Sequence, residues 1–246
     1  MTQPFKEWKV LPHGKLTQLD DNLLTVVGQL HAPMTLPRRM TVARLSDSRL
    51  VIFSAMALNQ KEMAILEAFG RPSFLIVPND HHRLDAKAWS LRYPSIDVIA
   101  PEGSRAGVQK KVRVRSVEPA FNDPNVQFVT VPGTNGKEAA LLVHSSNGST
   151  LVLNDLVGNI REGSGLRGWL LRKAGFVGDQ PQIPRIVKMS LIKHPEALRD
   201  QLLEWSQIET LQRILVSHGS RIAENPREVL RELARSLEER PPARVS

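Results

Sequence analysis

Cysteine is absent from the 246-residue chain, which removes disulfides, thiolate metal ligands and a cysteine nucleophile together. Any metal site must then be built from His, Asp or Glu. No stretch approaches the ~20 apolar residues that a membrane-spanning helix needs. The N-terminus, Met-Thr-Gln-Pro-Phe-Lys-Glu-Trp, has no apolar signal core. A cytoplasmic protein without a membrane span is therefore expected. Aromatic residues make up only 5%, so few rings are available to stack on unpaired bases. No serine stands in a Gly-x-Ser-x-Gly context, and Gly163-Ser164-Gly165 lacks the strand-turn-helix setting of a phosphate loop. Serine-hydrolase and nucleotide-binding readings are set aside.

What is present fits a globular α/β protein. Hydrophobic residues at 41% and charged residues at 24% lie well away from the compositions that stay disordered. The length suits one core, because chains usually divide only beyond about 250–300 residues. We expect a single domain over 1–246, with a core at about 20–235 and a frayed tail at 240–246. A net charge of +8 attracts phosphate at long range. Apart from Lys110, Lys111, Arg113 and Arg115, however, the basic residues are dispersed. A basic surface or pocket is the simpler account, and nucleic acid is the lesser reading unless 110–115 and 161–173 line one face beside the site.

Short β-branched and apolar runs at 23–27, 40–45 and 50–54 read as strands, and 60–69 reads as a surface helix stopped at Gly70. The run Ser73-Phe74-Leu75-Ile76-Val77 is a buried strand, ended by Pro78-Asn79, that delivers the polar run Asp80-His81-His82-Arg83-Leu84-Asp85 at its C-terminal end, where α/β proteins usually build sites. A helix at 86–92, a strand at 97–100, a basic strand-like segment at 112–117 and a strand at 126–131 follow. A hairpin of 139–144 and 150–153, turning on Asn147-Gly148, runs straight into Asn154-Asp155. The Gly- and Arg-rich stretch 158–184, with Trp169, reads as an irregular excursion on the rim of a site. Helices at 195–205 and 226–237 flank a strand at 213–216 that ends in Ser217-His218-Gly219.

Three separated strands thus end in imidazole or acid: the first in His81-His82 with Asp85, the second in Asp155, the third in His218. Such an order can assemble a cation site from distant parts of a chain. Other histidines carry no motif: His144 is placed on a strand face, and His13, His31 and His194 in loops. Glu138 reads as a buried acid answering a nearby Arg or Lys. The plain reading of His82 is a cap of the 86–92 helix or a solvent-facing side chain.

With these segments in view, the chain resembles the metallo-β-lactamase superfamily over about residues 20–235, in a divergent branch with a degenerate His-x-His-x-Asp-His motif. Val131-Pro132-Gly133-Thr134-Asn135-Gly136, then Leu151-Val152-Leu153-Asn154-Asp155-Leu156, then Ile214-Leu215-Val216-Ser217-His218-Gly219 carry the resemblance. It implies an αββα four-layer sandwich and a metal-dependent hydrolase or related oxidoreductase. The metal would be zinc or iron, held by His81 or His82, Asp155 and His218, with Asp85 and Asp155 as catalytic acids. Thr134 stands where the family has a histidine ligand. The first motif fits in two registers, either Asn79, His81, Arg83 and Leu84 or His81, Arg83, Asp85 and Ala86, and neither supplies four ligands. A reduced, single-metal site acting on a small molecule is expected; the alternative is a metal-free binding module on the same fold.

Overall fold

The computed structural model describes residues 5–30, 36–161, 172, 175 and 177–238. The expected tail at 240–246, His31, and most of the central part of the 158–184 excursion with Trp169 lie outside the described residues.

Ten strands and six helices are formed among the described residues. In chain order they are β1 (Thr17–Asp20), β2 (Leu23–Gln29), β3 (Pro37–Arg44), β4 (Arg49–Phe53), α1 (Gln60–Phe69), β5 (Arg71–Ile76), α2 (Ala86–Arg92), β6 (Asp97–Ile99) and α3 (Glu102–Gln109). Then come β7 (Val126–Thr130), β8 (Ala139–Ser145), β9 (Gly148–Asn159), α4 (Arg185–Ser190), α5 (Pro195–Ser206), β10 (Leu211–Gly219) and α6 (Pro226–Glu238). One sheet runs β1-β2-β3-β4-β5-β6 and the other β10-β9-β8-β7.

Alternation along the strands creates the layers, since successive strand side chains point to opposite faces. In β4, Val51 and Phe53 face the second sheet with Ile76 and Ile99, and meet Ala139, Leu141, Val143, Val152 and Leu215. Leu50 and Ile52 point the other way, with Met40, Val42 and Leu75, and receive Met63 and Leu66 of α1, Trp89 of α2 and Val108 of α3. On the far side, Leu151, Leu153, Ile214 and Val216 pack under Leu198, Leu202 and Trp205 of α5 and Leu230 and Leu233 of α6. Helices therefore cover both outer faces of a two-sheet core, giving the αββα order. Each fully buried Leu, Val or Phe contributes roughly 1.5–3 kcal/mol.

Local signals act where expected. Asn59 caps α1 by accepting from the Glu62 backbone N–H at 3.0 Å, and the Gly70 N–H closes the helix on the Leu66 carbonyl. One expectation is corrected. Residues 112–117 make no strand and contribute only an isolated bridge from Ser116 to Ile99. Val112 and Val114 instead pack into the α1–α3 layer, so their alternation reflects burial against helices rather than membership of a sheet. The strand β1 and the helices α3 and α4 are absent from the sequence reading: β1 has four residues and α4 six, and α3 is a short polar run in which only Ser104 and Val108 are buried.

Candidate metal centre

The strand ends converge at one edge of the sandwich. Between Leu153, paired with Val216, and Gly158, paired with His218, β9 inserts residues 154–157 opposite the single residue Ser217 of β10. A bulge of this kind breaks the ladder and re-aims side chains. Asp155 is one of the residues it presents, and His218 follows on the neighbouring strand. His82 comes from the turn after β5.

His82 Nε2 lies 3.0 Å and His218 Nε2 3.1 Å from the same atom, Asp155 Oδ1. Each of the three residues offers a ligand atom, and these atoms lie within 4.8 Å of one another. The imidazole centroids are 5.3 Å apart. The far side of each group is also held. His218 Nδ1 donates to the Pro37 carbonyl at 2.7 Å, His82 Nδ1 meets the Ser54 hydroxyl at 2.9 Å, and Asp155 Oδ2 accepts from the Asn79 amide at 2.7 Å. Ser54 adopts a positive φ of 56°, an uncommon conformation for a non-glycine residue that tends to mark constrained sites.

Electrostatics follow from burial and these contacts. Burial would raise the Asp155 carboxyl, but the charges and hydrogen bonds of His82 and His218 hold it well below the usual carboxylate range. Burial would lower the His218 imidazole; the Asp155 hydrogen bond and charge, with the Pro37 carbonyl, outweigh that and raise it. Glu138, fully buried, is pushed well up by burial and then by the charge of Asp155. Behind His218, the Arg39 guanidinium donates to the Val216 and Gly219 carbonyls, both at 3.1 Å, and so fastens β3 to the end of β10. Burial and the nearby Arg221 push Arg39 down to about 10.

The cluster lies on a cavity of about 500 Å³, within the range of small-molecule sites. Its apolar wall includes Leu30, Leu36, Leu84, Ile186 and Leu191, and Arg38 and Lys137 also line it. Arg83 does not, since its guanidinium is turned to the Gly107 carbonyl.

Of the residues named from sequence, His82, Asp155 and His218 are brought together. His81 lines the cavity but stands outside the cluster; its side chain is 71% exposed, 3.7 Å from Asp80. Asp85 is buried under α2, where it pairs with Arg38 at 2.5 Å and accepts from the Ala57 N–H at 3.2 Å. His82 does not cap α2, whose first turn has no side-chain cap. Among the described residues Glu138 has no Arg or Lys partner; it accepts from the Asn79 amide and the Asp155 N–H, both at 2.9 Å. His144 meets the Ser149 hydroxyl at 2.8 Å. Ser54 and Pro37 were not singled out from sequence. Ser54 obeys the same end-of-strand rule as the histidines and could have been found by it, whereas a backbone carbonyl leaves no trace in the side-chain pattern.

No sequence-family model matches the chain, and no curated protein matches it. Solved structures do. The DIM-1 metallo-β-lactamase, from a crystal exposed to ceftazidime, superposes with a TM-score of 0.62 over 93% of this chain and 99% of its own, at 13% identity. This chain has the metallo-β-lactamase fold. The FIM-1 metallo-β-lactamase from Pseudomonas aeruginosa, in a mono-zinc form, gives a TM-score of 0.60 over 94% of this chain and 98% of its own, also at 13% identity. Thr134 does not line the cavity: fully buried, it donates to the Val131 carbonyl at 2.7 Å. Identity this low carries the architecture but not the chemistry, which must come from the side chains present.

Proposed function

We propose that this protein is a metal-dependent hydrolase of small molecules, with one ion held by His82, Asp155 and His218. The observation that carries this reading is the pair of imidazole Nε2 atoms aimed at Asp155 Oδ1. A carbonyl can only accept, so His218 Nδ1 must carry a proton to bond Pro37. In the neutral ring, Nε2 would then turn a lone pair toward a carboxylate. Either a second proton or a cation must lie between them.

The donor set fits zinc or iron: two imidazoles and a carboxylate leave a position for water, and each ligand is oriented from behind, as metal-binding side chains usually are. When bound, such an ion supplies a Lewis acid and a water of lowered pKa. Asp155 supplies negative charge to balance the ion, and Asn79 holds its second oxygen in place. Ser54 serves His82 in either state, accepting from Nδ1–H or donating to Nδ1. The apolar wall excludes water from the body of a bound molecule, and Lys137 brings positive charge to the same cavity, where Arg38 is already paired with Asp85. An ester, thioester, amide or phosphoester substrate suits these features.

A second reading, a metal-free binding module, is favoured by one fact: with His218 doubly protonated, the His82–Asp155–His218 network closes on itself without an ion. Elemental analysis of the purified protein beside His218→Ala and Asp155→Ala separates the two. Near-stoichiometric zinc or iron that disappears in both variants supports the hydrolase. A wild type that is metal-free and refuses added zinc, iron and manganese supports the binding module. The protein is expected to act in the cytoplasm; among the described residues no helix is long and apolar enough to cross a membrane.

A further inference from the structure

Asn79 sits at the centre of the cluster without belonging to its ligand set. It is 3% exposed, and its side-chain amide uses every hydrogen-bonding position it has. Nδ2 donates to Asp155 Oδ2 at 2.7 Å and to Glu138 Oε2 at 2.9 Å. Oδ1 accepts from the backbone N–H of His81 at 2.9 Å and of His82 at 3.1 Å. An amide offers two donors and two acceptor lone pairs, so nothing is left over. The orientation is also unambiguous: a flipped amide would set NH₂ against two backbone N–H groups and oxygen against two carboxyl groups.

We propose that Asn79 is the positioning residue of the centre and that Glu138 fixes its amide. One rigid plane joins the turn that carries His82 to the bulge that carries Asp155, segments far apart in the chain. Glu138, immediately before β8, braces the same bulge a second time by accepting from the Asp155 N–H. The side chain and backbone of Asp155 are thereby tied to one buried acid, directly and through Asn79. Without the amide, Asp155 Oδ2 and the His81 N–H lose this partner together, and the His82 N–H keeps only its longer bond to the Asn79 backbone carbonyl at 3.3 Å. The carboxylate can then rotate away from the imidazoles.

The test has two arms, of which only the zinc arm rests on the metal reading above. In the metal-free protein, ¹⁵N–¹H spectra of the His82 and His218 imidazoles are recorded for wild type, Asn79→Ala and Glu138→Gln. Glu138→Gln keeps the shape but turns one of two acceptors into a donor, which must face either the Asn79 amide or the Asp155 N–H. Both variants should shift the imidazole signals, Asn79→Ala more strongly. Zinc affinity, measured by chelator competition, should fall about 10- to 100-fold in Asn79→Ala, as for other groups that orient metal ligands, and less in Glu138→Gln. A melting temperature that falls while imidazole signals and zinc affinity stay at wild-type values would reduce Asn79 to a stability role and overturn the proposal. If Asn79→Ala does not fold, Glu138→Gln decides by the same readouts. If the wild type takes no zinc, the metal reading fails, and the imidazole arm still decides the role of Asn79.

Discussion

His218 donates its Nδ1–H to the Pro37 carbonyl at 2.7 Å, which fixes the tautomer of the ring whose other nitrogen faces Asp155. From this contact comes a competition between proton and metal at one atom, Nε2. Zinc binding should release a proton, so zinc affinity should weaken from about pH 8 to about pH 5.5. Competition titrations at several pH values check this, and a pH-independent affinity would count against Nε2 as a ligand.

The same ring sets a pH dependence of stability in the metal-free protein. His218 is raised above its ordinary value of 6.5 by Asp155 and Pro37 despite burial, so its contribution is complete below the unfolded pKa and is lost as pH climbs through the folded one. Asp155 is lowered, so its contribution is present above the unfolded carboxyl pKa and is lost as pH falls through the folded value. Between these limits the pair contributes most. The metal-free melting temperature should therefore decline as pH rises above the ordinary imidazole value of 6.5, and His218→Ala should flatten that decline. An equal slope in both proteins would disprove the assignment.

Asp85, expected from sequence to be a catalytic acid, is placed to act on stability. Burial raises its carboxyl and Arg38 pulls it back, the balance of a buried ion pair. Asp85→Ala leaves Arg38 buried without a counter-charge and should cost about 3–5 kcal/mol, read by urea unfolding, while zinc stoichiometry is retained. Unchanged stability with lost zinc or lost turnover would return Asp85 to the chemistry.

Trp89 is fully buried, donates to the Met56 carbonyl at 3.0 Å and packs its ring at a tilt against those of Trp8 and Tyr93. Trp89→Ala should destabilise by about 3–5 kcal/mol in the same unfolding assay. A loss well under that range would mean that the α2 layer collapses onto the gap.

Gly219 has φ +115°, and a Cβ there would stand 2.1 Å from the Asn159 carbonyl oxygen. Gly219→Ala must shift the end of β10, so both melting temperature and zinc affinity should drop. The adjacent His218 makes loss of zinc the sharper readout, and retention of full affinity would show that the strand end tolerates the shift.

Much of this architecture was legible in the chain because its signals are local. The continuous apolar run before Asn79 and the Asn147-Gly148 turn each mark an element through neighbours a few residues apart. The end-of-strand placement of His82, Asp155 and His218 was legible for the same reason. The choice between His81 and His82 was not: adjacent residues share every local signal, and the two Asn79-bonded N–H groups set the turn that sends His82 inward and leaves His81 outside.

By itself the sequence determined the succession of strands and helices, the edge at which polar groups gather, and the exclusion of thiolate chemistry, since alternation, length and residue inventory are properties of short stretches; the αββα layer order was implied only by the family resemblance. Only the tertiary structure decided the partners. Asp85 took Arg38 from β3, Glu138 took Asn79 from beyond β5, and Asp155 was turned toward two imidazoles by a bulge defined against β10. Buried polar groups must find partners or pay the desolvation penalty, and those partners come from strands that meet only after the two sheets have packed.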